Sequence, residues 1–302
     1  MGNLPVSATT GFTTQLVNIG SIENVGWEFL LTTQNLKGRI NWTTTLNFAT
    51  LKNKVKDIGP LTQILTGSLP FTNQISVIQP GYPLAGYYGY EVTGVFQTKD
   101  EITGSAQPAA QPGYLKFRDI NNDGKIDPND RTLIGNPLPG ITYGINNSIS
   151  YQNFNLEFFL QGVSDVDILN QNLLEALFPL DPLRNTLAEP ILNRWTATNT
   201  ATKWPSGVGY NNYAAQRINS LTIENASYLR LRNLTLGYQI PIGKIKSIKS
   251  ARVYVTGQNL FTITNYSGYD PEVSVNGDGN VRVDYNAYPV AKIYMVGLNV
   301  GF

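Results

Sequence analysis

Neither cysteine nor histidine occurs anywhere in the 302 residues of this chain. Without cysteine there is no disulfide framework, thiolate zinc site or thiol nucleophile. Without histidine, the commonest general base, the serine–histidine triad and the commonest metal ligand are missing as well. Any enzyme built on this sequence has to work with carboxylates. Charge is scarce too: Asp, Glu, Lys and Arg supply 14% of residues, well below the roughly 25% of ordinary soluble domains. The 22 basic and 21 acidic residues nearly cancel, so charge gives no reason to expect a nucleic-acid partner. Long apolar runs are absent, which excludes membrane helices and leaves barrel strands untouched, since those alternate. The opening MGNLPVSATTGF has no basic head or apolar core, so it does not read as a secretory signal.

What the chain does have is alternation. In the terminal KIYMVGLNVGF, Tyr294, Val296, Leu298, Val300 and Phe302 share one parity, against Met295, Gly297, Asn299 and Gly301. In ITYGINNSISY, Ile141, Tyr143, Ile145, Ile149 and Tyr151 oppose small and polar residues. A tight connection at Gln152 and Asn153 leads to FNLEFFLQG, where Phe154, Leu156, Phe158 and Leu160 repeat the pattern. Together these predict an antiparallel hairpin with one apolar and one wet face. Trp27, Phe29 and Leu31, then Ile40, Trp42, Leu46 and Phe48, predict another pair across the LKGR turn. LTLGYQI and ARVYVTGQNLF form a third pair across PIGKIKSIKS. ILNQNLLEALF carries the one plausible helix.

With weaker candidates at 11–19, 72–79 and 86–97, the pattern predicts about ten strands. Their connections are of two kinds: tight turns, and long Pro/Gly/Asn/Asp-rich segments at 98–140 and 164–227. Outer-membrane barrels are built this way, with short periplasmic turns and long outside loops. A soluble β-sandwich rarely carries loops this long. If Phe302 is periplasmic, the turns at 152–153 and 241–250 are periplasmic and both long segments face the outside. The expected fold is therefore all-β, an antiparallel transmembrane barrel segment with long outside loops.

One of those loops reads DINNDGKIDPND. Asp119, Asn121, Asp123, Lys125, Asp127 and Asp130 fall at positions 1, 3, 5, 7, 9 and 12 of a calcium-type loop, and Gly124 falls at the sharp-turn position 6. Lys125 would contribute its backbone carbonyl, the others side-chain oxygen. All are hard ligands, so calcium is the expected ion, bracing an exterior loop. Aspartate at position 12 is shorter than the usual glutamate and predicts weaker binding. The competing reading is a polar Asx-rich turn that binds nothing.

Several longer blocks resemble one family. GYPLAGYYGYEVTGVFQ (residues 81–97), the segment from PGYLKFRDINNDGKIDPNDRTLIG to FNLEFFLQG, SYLRLRNLTLGYQIP, VYVTGQNLFTITNYSGYDPEVS and the terminal YMVGLNVGF are similar to blocks of SusC/RagA-type TonB-linked outer-membrane transporters. The resemblance runs from about residue 18 to Phe302. It implies the C-terminal part of a barrel of about 22 strands, with residues 1–302 lacking the plug, the TonB box and a signal peptide. Further implications are import of oligosaccharides or peptides across a bacterial outer membrane, a SusD-like surface lipoprotein as lid, energy from the TonB complex, and no enzymatic activity. Phe302 resembles the terminal aromatic read by the barrel-assembly machinery. About ten strands could not close such a barrel, so unpaired edges are expected.

Other features have plainer readings. Trp195, Trp204, Tyr210 and Tyr213 could stack on sugar rings, although loop aromatics more often pack their own loop or form an interfacial girdle. Asp165 and Asp167 could pass for a catalytic pair; a solvated loop is the better reading. A calcium-stabilised soluble β-protein or surface adhesin is the alternative to transport, and carboxylate-based glycan hydrolysis is a distant third.

Overall fold

A computed structural model describes residues 2–5, 7, 9, 11–17, 20–69, 72–177, 185, 187–207, 218–243, 247–274 and 282–302. Seven long strands run through one antiparallel sheet: β1 (Glu28–Leu36), β2 (Ile40–Thr50), β3 (Ile141–Tyr151), β4 (Phe154–Ser164), β5 (Tyr228–Ile240), β6 (Ser250–Gln258) and β7 (Ile293–Gly301). Each pairs with its neighbour in chain order, and Thr262–Thr264 adds a short eighth strand beside β5. Among the described residues β1 and β7 each keep one unpaired edge. No helix is long and apolar enough to cross a membrane, which says nothing of strands.

The register explains why the alternation is so regular. Trp42 opposes Ile149, Ile149 opposes Leu156, Leu156 opposes Leu236, Leu236 opposes Val255, and Val255 opposes Val296. One apolar row thus crosses six strands on a single face. The next row is Thr43, Ser148, Glu157, Thr235, Thr256 and Met295, polar except at its end and on the opposite face. Thr235 and Thr256 share a hydroxyl hydrogen bond of 2.9 Å there. A one-residue slip in any strand would interrupt both rows, so two-sided patterning fixes the register.

The apolar face is not covered. Leu236, Val255, Leu298 and Val296 are 51%, 52%, 62% and 78% exposed. Near the tight turns the same face is aromatic: Tyr151 opposes Phe154, which opposes Tyr238, and the last two rings lie 4.7 Å apart. The Arg39 guanidinium stacks 5.4 Å from the Tyr151 ring centre. Exposed apolar surface of this extent and regularity is foreign to a soluble domain.

Buried side chains gather instead at one end of the sheet. Residues 37–39, 152–153 and 241–249 connect strands at the turn end; residues 51–140, 165–227 and 259–292 connect them at the other. The described residues of these long connections fold into a lobe with its own core, including Tyr87, Phe96, Leu115, Leu169, Leu174 and Trp204. The lobe holds a four-stranded sheet (Ile64–Leu69, Thr72–Ile78, Gly86–Tyr90 and Arg131–Gly135) and a three-stranded one (Asp167–Asn170, Ile223–Asn225 and Val283–Asp284).

Here the structure departs from the sequence reading. Residues 72–79 and 86–97 do not join the wall. They form strands Thr72–Ile78, Gly86–Tyr90 and Val92–Val95 inside the lobe, where Tyr87 and Phe96 are fully buried. Alternation has the same period whether a strand faces lipid or a core, so periodicity alone could not separate them. The helix expected in ILNQNLLEALF is Gln171–Leu177, but Lys99–Ile102 and Ala188–Leu192 are short helices as well. The candidate at 11–19 is a strand at Thr14–Val17, with 18–19 outside the described residues.

Candidate functional site

The chemistry of this chain is concentrated in the lobe and in its junction with the wall. At that junction β5 carries a β-bulge: Phe159 opposes Asn233 and Leu160 opposes Leu231, leaving Arg232 as the extra residue. A bulge re-aims a side chain that the regular ladder would have placed elsewhere. Arg232 pairs with Glu272, and it also donates to Gln161 Oε1 at 2.7 Å and Asn259 Oδ1 at 3.3 Å. Arg230, 2% exposed, donates to Asp270 Oδ1 at 2.6 Å, Glu272 Oε2 at 2.5 Å and Thr262 Oγ1 at 2.8 Å. The Tyr228 hydroxyl donates to Glu272 Oε1 at 2.5 Å.

Burial pushes the Asp270 carboxyl up, but the Arg230 guanidinium and the backbone N–H groups of Glu272 and Val290 outweigh it and hold Asp270 below its ordinary range. Two motifs distant in sequence, LRLRN and GYDPE, are thereby one ionic clasp. Its many partners offset the desolvation that an isolated buried pair would suffer.

The DINNDGKIDPND loop projects from the lobe. Asn122 and Gly124 take positive φ of 58° and 79°, the sharp bend expected near position 6. Asp119 accepts from the N–H groups of Asp123 and Gly124, and Asp123 accepts from that of Lys125. Asp127 caps the 3-10 turn Pro128–Asp130. Asp130, fully buried, accepts from Ile120 N and Asp127 N at 2.8 Å each, tying the end of the loop to its start. The donors are of the right kind for a hard cation, yet among the described residues no three carboxylates converge on one point. In this arrangement they serve backbone amides.

The remaining candidates divide. Trp204 is 4% exposed within the lobe core, and Trp195 packs beside it while donating its indole N–H to Gln97 Oε1 at 2.9 Å. Both pack the lobe, Trp204 within its core and Trp195, half-buried, against it. Tyr210 and Tyr213 lie outside the described residues. Asp165 lies just before the strand that carries Asp167, at a φ of 57°. Asp167 sits in a strand, accepts from Asn136 N at 2.8 Å, and burial raises its carboxyl above the usual range. It is therefore less solvated than a loop reading implies.

Sequence reasoning missed a cavity of about 690 Å³ beside helix Gln171–Leu177, lined by Asn172, Glu175, Tyr269, Asp284, Asn286 and Tyr288 among others. Its floor is tied together. The Tyr266 hydroxyl donates to Asp284 Oδ2 at 2.6 Å, Asn172 Nδ2 to Asp284 Oδ1 at 3.2 Å, and Asn286 N to Asn172 Oδ1 at 2.9 Å. Burial, then the Asp284 carboxylate, pushes the Tyr266 hydroxyl far up, so it stays a donor. Tyr269 and Tyr288 flank this floor at 89% and 95% exposure. Both sit in turn-like sequence, SGYDP and NAYPV, and nothing there distinguishes them from ordinary loop tyrosines.

An antiparallel sheet with an exposed apolar face, a polar reverse face and a lobe at one end is a wall segment of a transmembrane β-barrel. No family model matches the chain. Relatives do: it is 34% identical to TonB-dependent receptor P3 of Formosa agariphila, over 99% of this chain and 30% of that protein. It is 26% identical to the TonB-dependent receptor SusC of Bacteroides thetaiotaomicron, over 100% of this chain and 29% of that one. The solved RagAB peptide transporter superposes with a TM-score of 0.76 at 24% identity, over 99% of this chain and 31% of that chain. The chain belongs to the SusC/RagA family of TonB-dependent receptors. It spans about three-tenths of the length of the relatives it matches.

Proposed function

We propose that residues 1–302 are the C-terminal barrel part of an outer-membrane importer of oligosaccharides or peptides. The apolar face meets lipid, the polar face lines the lumen, and the lobe stands outside the cell. The observation that carries this reading is the uncovered row from Trp42 to Val296, backed by the polar row from Thr43 to Thr256. The open edges of β1 and β7 fit a wall that is completed by further strands. Partners on this reading are a SusD-like surface lipoprotein over the lobe, the TonB complex acting through the rest of the protein, and the barrel-assembly machinery at Phe302. The exposed apolar face disfavours a soluble calcium-stabilised β-protein or adhesin.

Single cysteines test the reading in a full-length protein that has no other cysteine. Val296→Cys should react with a lipid-phase maleimide and resist an aqueous one. Asn299→Cys, on the other face, should do the reverse. Equal aqueous labelling of both sites would overturn the proposal.

Calcium belongs to the same proposal. Asp119, Asn121, Asp123, Asp127 and Asp130, with the Lys125 carbonyl, would close around the ion and brace the outside loop. The support is the hard-oxygen donor set and the bend at Gly124.

A further inference from the structure

The outward face of the wall does not end with its apolar rows. Strand Ile40–Thr50 continues past a break at Leu51 into strand Lys52–Asp57, and Ser21–Val25 leads into Glu28–Leu36 beside it. Glu28 opposes Ala49 and Val25 opposes Lys52, so one register runs through the break. Thr50 N donates to Trp27 O across it at 2.9 Å. Alternation therefore carries the face of Leu46 and Phe48 on to Lys52 and Lys54. The reverse face turns to the lobe: Val55 is fully buried, and Asn53 Oδ1 accepts from Leu84 N at 2.7 Å.

Height places these lysines. Strand Ile40–Thr50 has 11 residues. At about 3.4 Å per residue and a tilt near 40°, it rises about 26 Å, the thickness of a barrel's apolar band. Aromatic rings mark both limits. Tyr151 opposes Ile40 at one end, and Trp27, 81% exposed, is bonded to Thr50 at the other. Lys52 and Lys54 are the next two outward residues, about 5 and 10 Å beyond Trp27 by the same rise. That is the zone of lipid headgroups, on the side of the lobe.

Charge then selects the ligand. Both lysines are exposed, and among the described residues neither has an ion-pair partner. Glu23, which opposes Lys54, is held by Lys56 Nζ at 2.9 Å instead. Side chains two apart on a strand leave one face about 7 Å from each other, and two ammonium groups on flexible stems converge readily on one anion. We infer that Lys52 and Lys54 clamp the phosphate monoester of a lipid headgroup in the outer leaflet. A phosphate monoester carries about −1.5 to −2 charges at neutral pH, which two lysines match and a phosphodiester does not. Lysine stems lie along apolar surface while their heads stay in the polar zone, so Trp27 and Val25 support the clamp from below.

The clamp rests on the lipid-facing assignment of the wall, and its test keeps the two apart. Full-length protein in neutral detergent is mixed with monophosphoryl lipid A, its dephosphorylated form, phosphatidylglycerol or inorganic phosphate. Bound lipid is counted by native mass spectrometry. Monophosphoryl lipid A should bind about 25-fold more tightly than the dephosphorylated form, given roughly fivefold from each lysine near an anionic headgroup. Lys52→Gln and Lys54→Gln should each weaken it by about fivefold, and together they should erase the preference. The double Lys→Arg variant should keep it, which excludes misfolding as the cause. The clamp is overturned if the dephosphorylated lipid or phosphatidylglycerol binds as tightly, or if the glutamine variants change nothing. Displacement of the lipid by an equal concentration of inorganic phosphate would mark a free-anion site and overturn it too. Absent phosphate preference with Val296→Cys still labelled from the lipid phase sinks the clamp and spares the barrel. Aqueous labelling of Val296→Cys removes both.

Discussion

The indole N–H of Trp42 donates a 2.9 Å hydrogen bond to Oδ1 of Asn147 on the apolar face of the sheet. Thr44 Oγ1 donates to the same oxygen at 2.7 Å, and Asn147 is only 6% exposed. A side-chain amide in an apolar belt is tolerable where its carbonyl is satisfied. A double-mutant cycle should show this directly. Trp42→Phe and Asn147→Leu should each destabilise the protein, and the double variant by about 0.5–1.5 kcal/mol less than their sum, the net value of one hydrogen bond. Denaturant unfolding of the full-length protein in lipid is the measurement. Full additivity would mean that the bond contributes nothing.

Charge on the apolar row should be far more damaging than charge one residue along it. Val296 lies in the row that starts at Trp42, whereas Met295 pairs with Thr256 on the polar face. Val296→Arg should cost about 2–4 kcal/mol if the row lies near the bilayer midplane. Met295→Arg should stay within roughly 0.5 kcal/mol, the range of ordinary surface changes. The check is heat-modifiable gel migration together with unfolding in bilayers, and similar losses at both sites would contradict the assigned faces.

How much of this was legible in the sequence depends on which face a strand buries. The β3–β4 hairpin was readable because Ile149, Leu156 and most of their neighbours alternate with polar residues, with Asn147 and Phe159 as the exceptions. The strands at Thr72–Ile78 and Gly86–Tyr90 alternate as well, yet bury Ile75 and Tyr87 in a lobe core. Only a long-range pairing, such as Tyr88 with Leu133, reveals the difference. The Arg230–Asp270 clasp was visible as two motifs but not as one contact, because forty residues separate its halves. Tyr269 and Tyr288 were invisible as a pair for the same reason.

Calcium should order the DINNDGKIDPND loop if the donors close on it. Addition of calcium to the full-length protein should raise protection from proteolysis at residues 115–135, and Asp123→Ala should abolish the gain. Asp130→Ala should be worse in either condition, because Ile120 N and Asp127 N then lose their acceptor. Protection unchanged by calcium would leave the loop as a turn held by its own amides.

The ionic clasp makes the lobe junction acid-sensitive, and the sign follows from Asp270. Its carboxyl is held below the ordinary value of 3.8 in the folded protein. Its contribution is therefore complete above that ordinary value and is lost as pH falls through the lower folded one. Hydrogen exchange at 259–274 should accelerate below about pH 4, the ordinary carboxylate range, relative to the wall strands. Asp270→Asn should flatten that dependence while loosening the segment at neutral pH. Arg230→Ala should cost about 3–5 kcal/mol, because it strands Asp270 without its cation. Arg230→Lys should recover only part of this, since one ammonium cannot reach Asp270, Glu272 and Thr262 in the fixed geometry of a guanidinium. Equal protection, measured against intrinsic exchange, at pH 3 and pH 6 would show that the clasp is not what closes the junction.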